Sequence, residues 1–167
     1  VRMKIAFFEV KEWEKDFIKK GLRKHSVSFF DDKLDEKNVE KARDADIISV
    51  FVYSEINNKV VAKLKKTKLI VTRSTGFDHI DISACKKHKI KVFNVPSYGE
   101  NTVAEHTFAL ILSLSRKIYL SHLKRLQGDY SLDDVKGFDL NGKTLGVIGV
   151  GHIGKHVVRI ARGFNMA

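Results

Sequence analysis

The sequence predicts an α/β protein built around a parallel sheet. Short apolar runs recur along residues 3–93, and segments with helical spacing of their apolar residues separate them. Residues 46–52 are almost continuously apolar, which is typical of a strand that is buried on both faces. Strands that alternate with helices join as parallel βαβ units, so helices are expected on both faces of the sheet.

The individual elements follow the chain in strict alternation. Apolar runs predict five strands, at 3–8, 27–30, 46–52, 68–72 and 90–93. Amphipathic spacing predicts four intervening helices, at 12–21, 36–42, 56–64 and 81–88. This arrangement indicates a flavodoxin-like domain.

The pattern changes after the only proline of the chain. Pro96 and Gly99 lie close together and mark a turn, where we expect a domain boundary that separates residues 1–97 from residues 98–167. The second region is expected to hold a long helix at 102–120, a polar loop at 128–141 and a strand at 143–148.

Composition narrows the class of protein. Hydrophobic residues make up 43% and charged residues 31% of the 167-residue chain, which is typical of a globular domain. The only cysteine, Cys85, excludes an internal disulfide, and no leader segment is evident, so a cytoplasmic location is expected. The longest apolar stretch, 107–114, is far shorter than the roughly 20 residues of a membrane span, so no membrane partner is expected.

The net charge of +11 could attract an anionic partner. However, the lysines and arginines are dispersed, and no basic stripe interleaved with aromatic residues accompanies them. A solvated, lysine-rich surface is therefore favoured over a nucleic-acid interface.

A glycine turn after the expected strand at 143–148 carries the clearest chemical signal. Gly149, Gly151 and Gly154 have the spacing G-x-G-x-x-G that binds the pyrophosphate of a dinucleotide. The turn follows an apolar strand and opens an amphipathic helix, as that motif requires, which favours cofactor binding over an accidental turn. The acidic residue that would hold the ribose is expected about 20 residues beyond the turn, past Ala167, so the pattern does not separate NAD from NADP.

Three motifs together resemble the D-isomer-specific 2-hydroxyacid dehydrogenases. They are the segments 73–81 (RSTGFDHID), 94–106 (NVPSYGENTVAEH) and 149–154 (GVGHIG), in the order and spacing of that family. The likeness runs from about residue 3 to the end of the chain. Within the family, the segments 48–53 and 98–101 most resemble the D-lactate dehydrogenases.

The resemblance implies a flavodoxin-like substrate domain, completed by a later segment of the chain, and the beginning of a Rossmann-type NAD-binding domain. It implies that Thr75 and Gly76 bind the substrate carboxylate through their N–H groups and that Tyr98 lines the substrate pocket. On the cofactor side, it implies that Val103 lies beside the nicotinamide, and that the backbone of His152 and Ile153 meets the pyrophosphate within the glycine turn of Gly149, Gly151 and Gly154.

The resemblance also implies NAD as cofactor, a small 2-oxo or 2-hydroxy acid as substrate, and a homodimer. The catalytic arginine, glutamate and histidine of the family would lie beyond Ala167, so no catalytic residue is expected within this chain. Two alternatives stay open: another activity of the family, such as phosphoglycerate dehydrogenation, and a non-catalytic NAD-binding or corepressor-like protein.

Two other groups of side chains have simpler explanations. His152 and His156 are four residues apart and could pair on a metal, but the glycine turn already accounts for His152 and no third ligand is evident, so no metal site is expected. Cys85 lies in a lysine-rich segment and is expected to be a half-buried structural thiol.

Overall fold

A computed structural model describes residues 2–167, and their contacts divide the chain into two compact units with the division after Tyr98. The first unit contains a five-stranded sheet with the strand order β2-β1-β3-β4-β5. All four strand pairs are parallel. The strands are β1 (Lys4–Phe7), β2 (Ser26–Phe29), β3 (Ile47–Val50), β4 (Leu69–Thr72) and β5 (Lys91–Phe93). The flavodoxin-like prediction is confirmed.

Three helices and one 3₁₀ turn connect these strands. They are α1 (Glu12–Gly21), α2 (Asn58–Lys63), α3 (Ile82–Lys87) and the 3₁₀ turn Val39–Ala42. Side-chain caps define where two of the helices begin, because Asn57 accepts hydrogen bonds from two N–H groups of α2 and Asp81 accepts one from Ala84 at 2.8 Å. The helix expected at 36–42 is thus reduced to a single 3₁₀ turn.

The two faces of the sheet are covered unequally. Right-handed crossovers place α1 on one face and place α2, α3 and the 3₁₀ turn on the other. The second face holds the main core, where Phe8, Ile48, Val50 and Ile70 are fully buried. The α1 face is only partly covered: Phe7, Ile47 and Val71 are half-buried, and Phe93 is 58% exposed.

The second unit consists of three helices around a small core. They are α4 (Glu100–Ser115), α5 (Ile118–Leu126) and α6 (His152–Gly163). Phe108 of α4 stacks on Phe164 just after α6, with ring centroids 5.5 Å apart, and Ala104, Leu140 and Val157 are buried in the same cluster.

Two expectations for the second unit are wrong. The helix expected at 102–120 is divided at Lys117, whose left-handed φ of 54° separates α4 from α5. The segment expected as a strand at 143–148 has no strand assignment and makes only one rung of parallel pairing: Leu145 N–H donates to Ala167 O at 2.8 Å, and Ala167 N–H donates to Lys143 O at 2.9 Å. Within residues 2–167 this segment has no further strand partner.

No helix in the described part of the chain combines the length and the apolar character that crossing a membrane requires.

The central strand sets the stability of the first unit. Ile48 is fully buried at the middle of β3, so Ile48→Ala should lower the free energy of unfolding by about 2–5 kcal/mol. Leu132→Ala is the matched control, since Leu132 is 83% exposed and its loss should cost less than about 0.5 kcal/mol. Equilibrium denaturation in urea measures both values, and equal losses would show that the core is assigned wrongly.

Candidate functional site

The loop that follows β4 is built to leave backbone donors open. Thr75 and Gly76 are both exposed, and their backbone N–H groups are paired with no acceptor among residues 2–167. The loop is held from its other side, because the amide of Asn94 donates to Thr75 O at 2.7 Å and Val95 N–H donates to Ser74 O at 3.0 Å. Fixed, unpaired N–H groups in a turn can bind an anion such as a carboxylate.

A chain of side-chain hydrogen bonds supports this loop from below. Ser74 Oγ donates to Gly76 O at 2.7 Å, so its oxygen accepts from Thr72 Oγ1, which lies 2.5 Å away. Thr72 Oγ1 in turn accepts from His79 Nε2 at 3.1 Å, which assigns the proton of the neutral imidazole to Nε2. Burial lowers the pKa of His79, and the nearby carboxylates of Glu9 and Asp78 oppose that shift. His79 is therefore the neutral donor at the end of this series of hydrogen bonds.

Arg73 ties the carboxyl end of β4 to those of β1 and β3. Its guanidinium donates to Ser49 Oγ at 3.0 Å, to Phe8 O at 3.0 Å and to Glu9 O at 2.8 Å. Burial lowers the pKa of Arg73, while Glu14 and Glu9 act in the opposite direction. These bonds fix the residue directly before Ser74, and with it the start of the loop.

The two other side chains predicted to contact ligands are exposed. Tyr98 is 64% exposed and ends the first unit after β5. Val103 is 47% exposed near the start of α4, where its N–H donates to Gly99 O at 3.0 Å and its carbonyl accepts from Thr107 Oγ1 at 2.8 Å.

The three glycines of the turn at 149–154 differ in what a side chain would meet. Gly149 has a φ of +89°, which strains any residue with a side chain. A Cβ on Gly154 would lie 2.3 Å from the carbonyl oxygen of Gly149, so only glycine lets α6 pack this closely on the turn. Gly151 has ordinary dihedral angles and no atom within 4 Å of such a Cβ, so its space is open to a ligand.

The turn delivers the N-terminus of α6 to that open space. Gly151 is the N-cap, and the backbone N–H groups of His152, Ile153 and Gly154 precede the first helical hydrogen bond, which runs from Lys155 N–H to Gly151 O at 3.1 Å. His152 and Ile153 are exposed. Free N–H groups and the positive end of the helix dipole suit a phosphate. A cavity of about 300 Å³ lies beside the turn, lined by residues that include Ile111, Val147 and Ile153.

Cys85 is more deeply buried than expected. Only 1% of its surface is exposed, and desolvation raises the pKa of its thiol to about 11. A protonated thiol is a poor nucleophile, which agrees with a structural role. No group of three or more histidine, cysteine or acidic side chains in the described part of the chain is arranged to hold a metal ion.

Comparison with known proteins identifies the family. The sequence profile of the D-isomer specific 2-hydroxyacid dehydrogenase catalytic domain matches residues 5–161. The chain belongs to this family. Two relatives are the D-lactate dehydrogenase of Escherichia coli, 34% identical over 98% of this chain and 51% of that protein, and the D-3-phosphoglycerate dehydrogenase of Methanocaldococcus jannaschii, 37% identical over 78% of this chain and 25% of that protein.

A solved structure of the family extends the likeness to three dimensions. The D-lactate dehydrogenase of Aquifex aeolicus, crystallised with NAD and lactic acid, superposes with a TM-score of 0.90 at 36% identity, covering 97% of this chain and 49% of that one. The chain spans about half the length of curated relatives such as the D-lactate dehydrogenase of Escherichia coli.

The residues that support the loop were not predicted from the sequence. Arg73 and His79 lie inside the motif at 73–81, but the motif does not reveal their partners. Glu9 and Asn94 each follow the end of a parallel strand, and that position was the available signal, because such residues share one edge of the sheet.

We expect Gly154→Ala to destabilise the second unit. The added methyl would meet backbone atoms that cannot move aside, so the loss should be about 1–3 kcal/mol. Gly163→Ala is the matched control at the other end of α6, where a Cβ meets nothing within 4 Å. Urea denaturation of both variants tests this account, and equal stabilities would refute the close approach at Gly154.

The free energy of unfolding should also fall as the pH is lowered from 7 to 5. Because the folded state lowers the pKa of His79 below its ordinary value of 6.5, the unfolded chain binds more protons, and stability is lost as the pH falls through that value. His79→Gln should flatten this part of the pH dependence relative to the wild type. Thermal unfolding measured across this pH range separates the two, and identical slopes would count against a desolvated His79.

Proposed function

We propose that this chain is the substrate-binding part and the beginning of the cofactor-binding part of an NAD-dependent D-2-hydroxyacid dehydrogenase, and that the full-length protein reduces pyruvate to D-lactate with NADH. The glycine turn is the observation that carries the proposal. Its three glycines meet three separate requirements of dinucleotide binding, and open space remains at Gly151 where a pyrophosphate would approach.

In this proposal the predicted substrate domain, residues 1–97, binds the substrate. The N–H groups of Thr75 and Gly76 hold its carboxylate, because they are unpaired in a loop fixed by Asn94 and Arg73. A fixed loop orients the acid without further ordering, which lowers the entropic cost of binding. Tyr98, exposed five residues after the end of β5, lines the pocket for the remainder of the substrate.

The second region, residues 98–167, holds the cofactor in this proposal. Gly151, His152 and Ile153 bind the pyrophosphate through their backbone, supported by the dipole of α6. Val103, exposed near the start of α4, lies beside the nicotinamide. NAD, when bound, supplies or accepts the hydride. The arginine, glutamate and histidine that clamp the carboxylate and exchange the hydroxyl proton are proposed to lie beyond Ala167.

Uncovered apolar surface supports two further parts of the proposal. Trp13 and Phe17, four residues apart on α1, are 81% and 82% exposed, which fits a substrate domain that is completed by a later segment of the chain. Leu114 and Tyr119 are 75% and 68% exposed near the junction of α4 and α5, which fits a homodimer. Light scattering on the full-length protein tests the dimer.

A second activity of the same family is favoured by one relative. Because the D-3-phosphoglycerate dehydrogenase of Methanocaldococcus jannaschii is 37% identical over 78% of this chain, a phosphorylated 3-carbon acid is the alternative substrate. Comparing kcat/KM for pyruvate and for 3-phosphohydroxypyruvate distinguishes the two. A full-length protein that binds NADH and turns over neither acid would favour the non-catalytic, corepressor-like alternative.

We expect the full-length protein to oxidise NADH in the presence of pyruvate and to form D-lactate. Gly151→Ala should raise the KM for NADH at least tenfold, because a methyl group would occupy the space proposed for the pyrophosphate, with little change in stability. Gly163→Ala serves as the control and should leave both KM values unchanged. An unaltered KM for NADH in Gly151→Ala would contradict the proposed cofactor site.

A further inference from the structure

Glu9 has a backbone conformation that needs an explanation. It lies just beyond β1, between the buried residues Phe8 and Val10, and has a left-handed φ of 57°. Residues with a Cβ rarely adopt this region, and asparagine and aspartate are the usual exceptions. A glutamate in this conformation indicates that contacts with the surrounding residues stabilise it.

The carboxylate of Glu9 binds four donors from the segment that follows β3. Its Oε2 accepts the N–H of Phe51 at 2.9 Å, the N–H of Ser54 at 3.1 Å and the Ser54 hydroxyl, and its Oε1 accepts the N–H of Tyr53 at 2.8 Å. Hydrogen bonds to an ionised acceptor are stronger than neutral ones. Residues 51–54, which include a turn at Val52 and Tyr53, are therefore wrapped around one side chain.

The backbone of Glu9 connects the same residue to the loop after β4. Its carbonyl accepts from the guanidinium of Arg73 at 2.8 Å, and Arg73 directly precedes Ser74 and Thr75. Because β3 lies between β1 and β4 in the sheet, the segments after these three strands lie side by side at one edge. Glu9 joins all three.

We propose that Glu9 is a positioning residue for the substrate site, which fixes residues 51–54 beside the loop of Thr75 and Gly76. The inference rests on the proposed function. Glu9 acts through its neighbours: the segment it anchors exposes Val52 and Tyr53 at the edge of the sheet that also carries the loop proposed to hold the carboxylate. Hence it governs how well the substrate acid is bound and not how the cofactor is bound.

Steady-state kinetics of the full-length protein test this role. Glu9→Ala should raise the KM for pyruvate at least tenfold, because three N–H groups and one hydroxyl lose their acceptor, while the KM for NADH stays within twofold of the wild type. Glu9→Gln keeps one carbonyl oxygen for the donors on Oε2 but turns an NH₂ group toward the N–H of Tyr53, so its KM should fall between those of wild type and Glu9→Ala. General destabilisation would lower the active fraction without this selective change in one KM.

Two further variants sharpen the result. Ser54→Ala removes the hydroxyl that donates to Glu9 and that also accepts the N–H of Leu34 at 2.9 Å. Its effect on the KM for pyruvate should be smaller than that of Glu9→Ala, and the part that comes from the contact with Glu9 should disappear when Glu9→Ala is already present. Glu55→Ala is the control: Glu55 directly follows the segment 51–54, and its exposed carboxylate pairs with Lys33 instead, so both KM values should stay unchanged. Equal effects of Glu55→Ala and Glu9→Ala, or an unchanged KM for pyruvate in Glu9→Ala, would overturn the inference.

Hydrogen exchange separates a failure of this inference from a failure of the proposed function. A wild-type protein that reduces no 2-oxo acid would contradict the function. The anchoring by Glu9 would then be judged by the amides of Phe51, Tyr53 and Ser54, which should exchange faster in Glu9→Ala than in Glu55→Ala. Equal protection of these amides in the two variants would overturn the role of Glu9 whatever the activity.

Discussion

Parallel pairing of all five strands is the constraint on which the first unit depends, because it gathers the ends of β1, β3, β4 and β5 at a single edge. Each strand brings one polar group to that edge: Glu9, Ser54, Arg73 and Asn94. Strand pairing alone would leave these segments adjacent but independent. The three hydrogen bonds of Arg73 and the four accepted by the Glu9 carboxylate join the ends of β1, β3 and β4, and the bond from Asn94 to Thr75 O adds the end of β5. The N–H groups of the β4 loop remain open.

The same topology explains how charge and apolar surface are distributed. Helices return antiparallel to the strands, so their C-termini lie at the opposite edge of the sheet, and Lys20, Lys63 and Lys87 occupy last turns where the helix dipole favours cations. Part of the net charge of +11 is thus stabilising for the helices themselves. Only the crossover from β1 to β2 runs toward the β2 side of the sheet, whereas the later crossovers run toward β5. Because all of these crossovers are right-handed, α1 lies alone on its face, and Phe93 on that face stays exposed.

Periodicity and glycine spacing predicted much of this fold from the sequence, since both report local requirements: alternating apolar runs for the parallel sheet, and a positive φ and a close approach for Gly149 and Gly154. The break at Lys117 could not be predicted, because a lysine carries no signal for a left-handed conformation and the apolar pattern continues across it. The role of Glu9 was not predicted from the sequence for a related reason. Its partners are 42 to 45 residues away, and only the folded sheet brings them within reach.

The central claim is that the backbone of the β4 loop holds the carboxylate of a small 2-oxo acid while the glycine turn holds a dinucleotide. A crystal structure of the full-length protein with NADH and the unreactive analogue oxamate tests both parts at once. We predict that the oxamate carboxylate lies within about 3 Å of the N–H groups of Thr75 and Gly76, with the pyrophosphate against Gly151 and the first turn of α6. A carboxylate bound elsewhere, with both N–H groups facing water, would contradict the account.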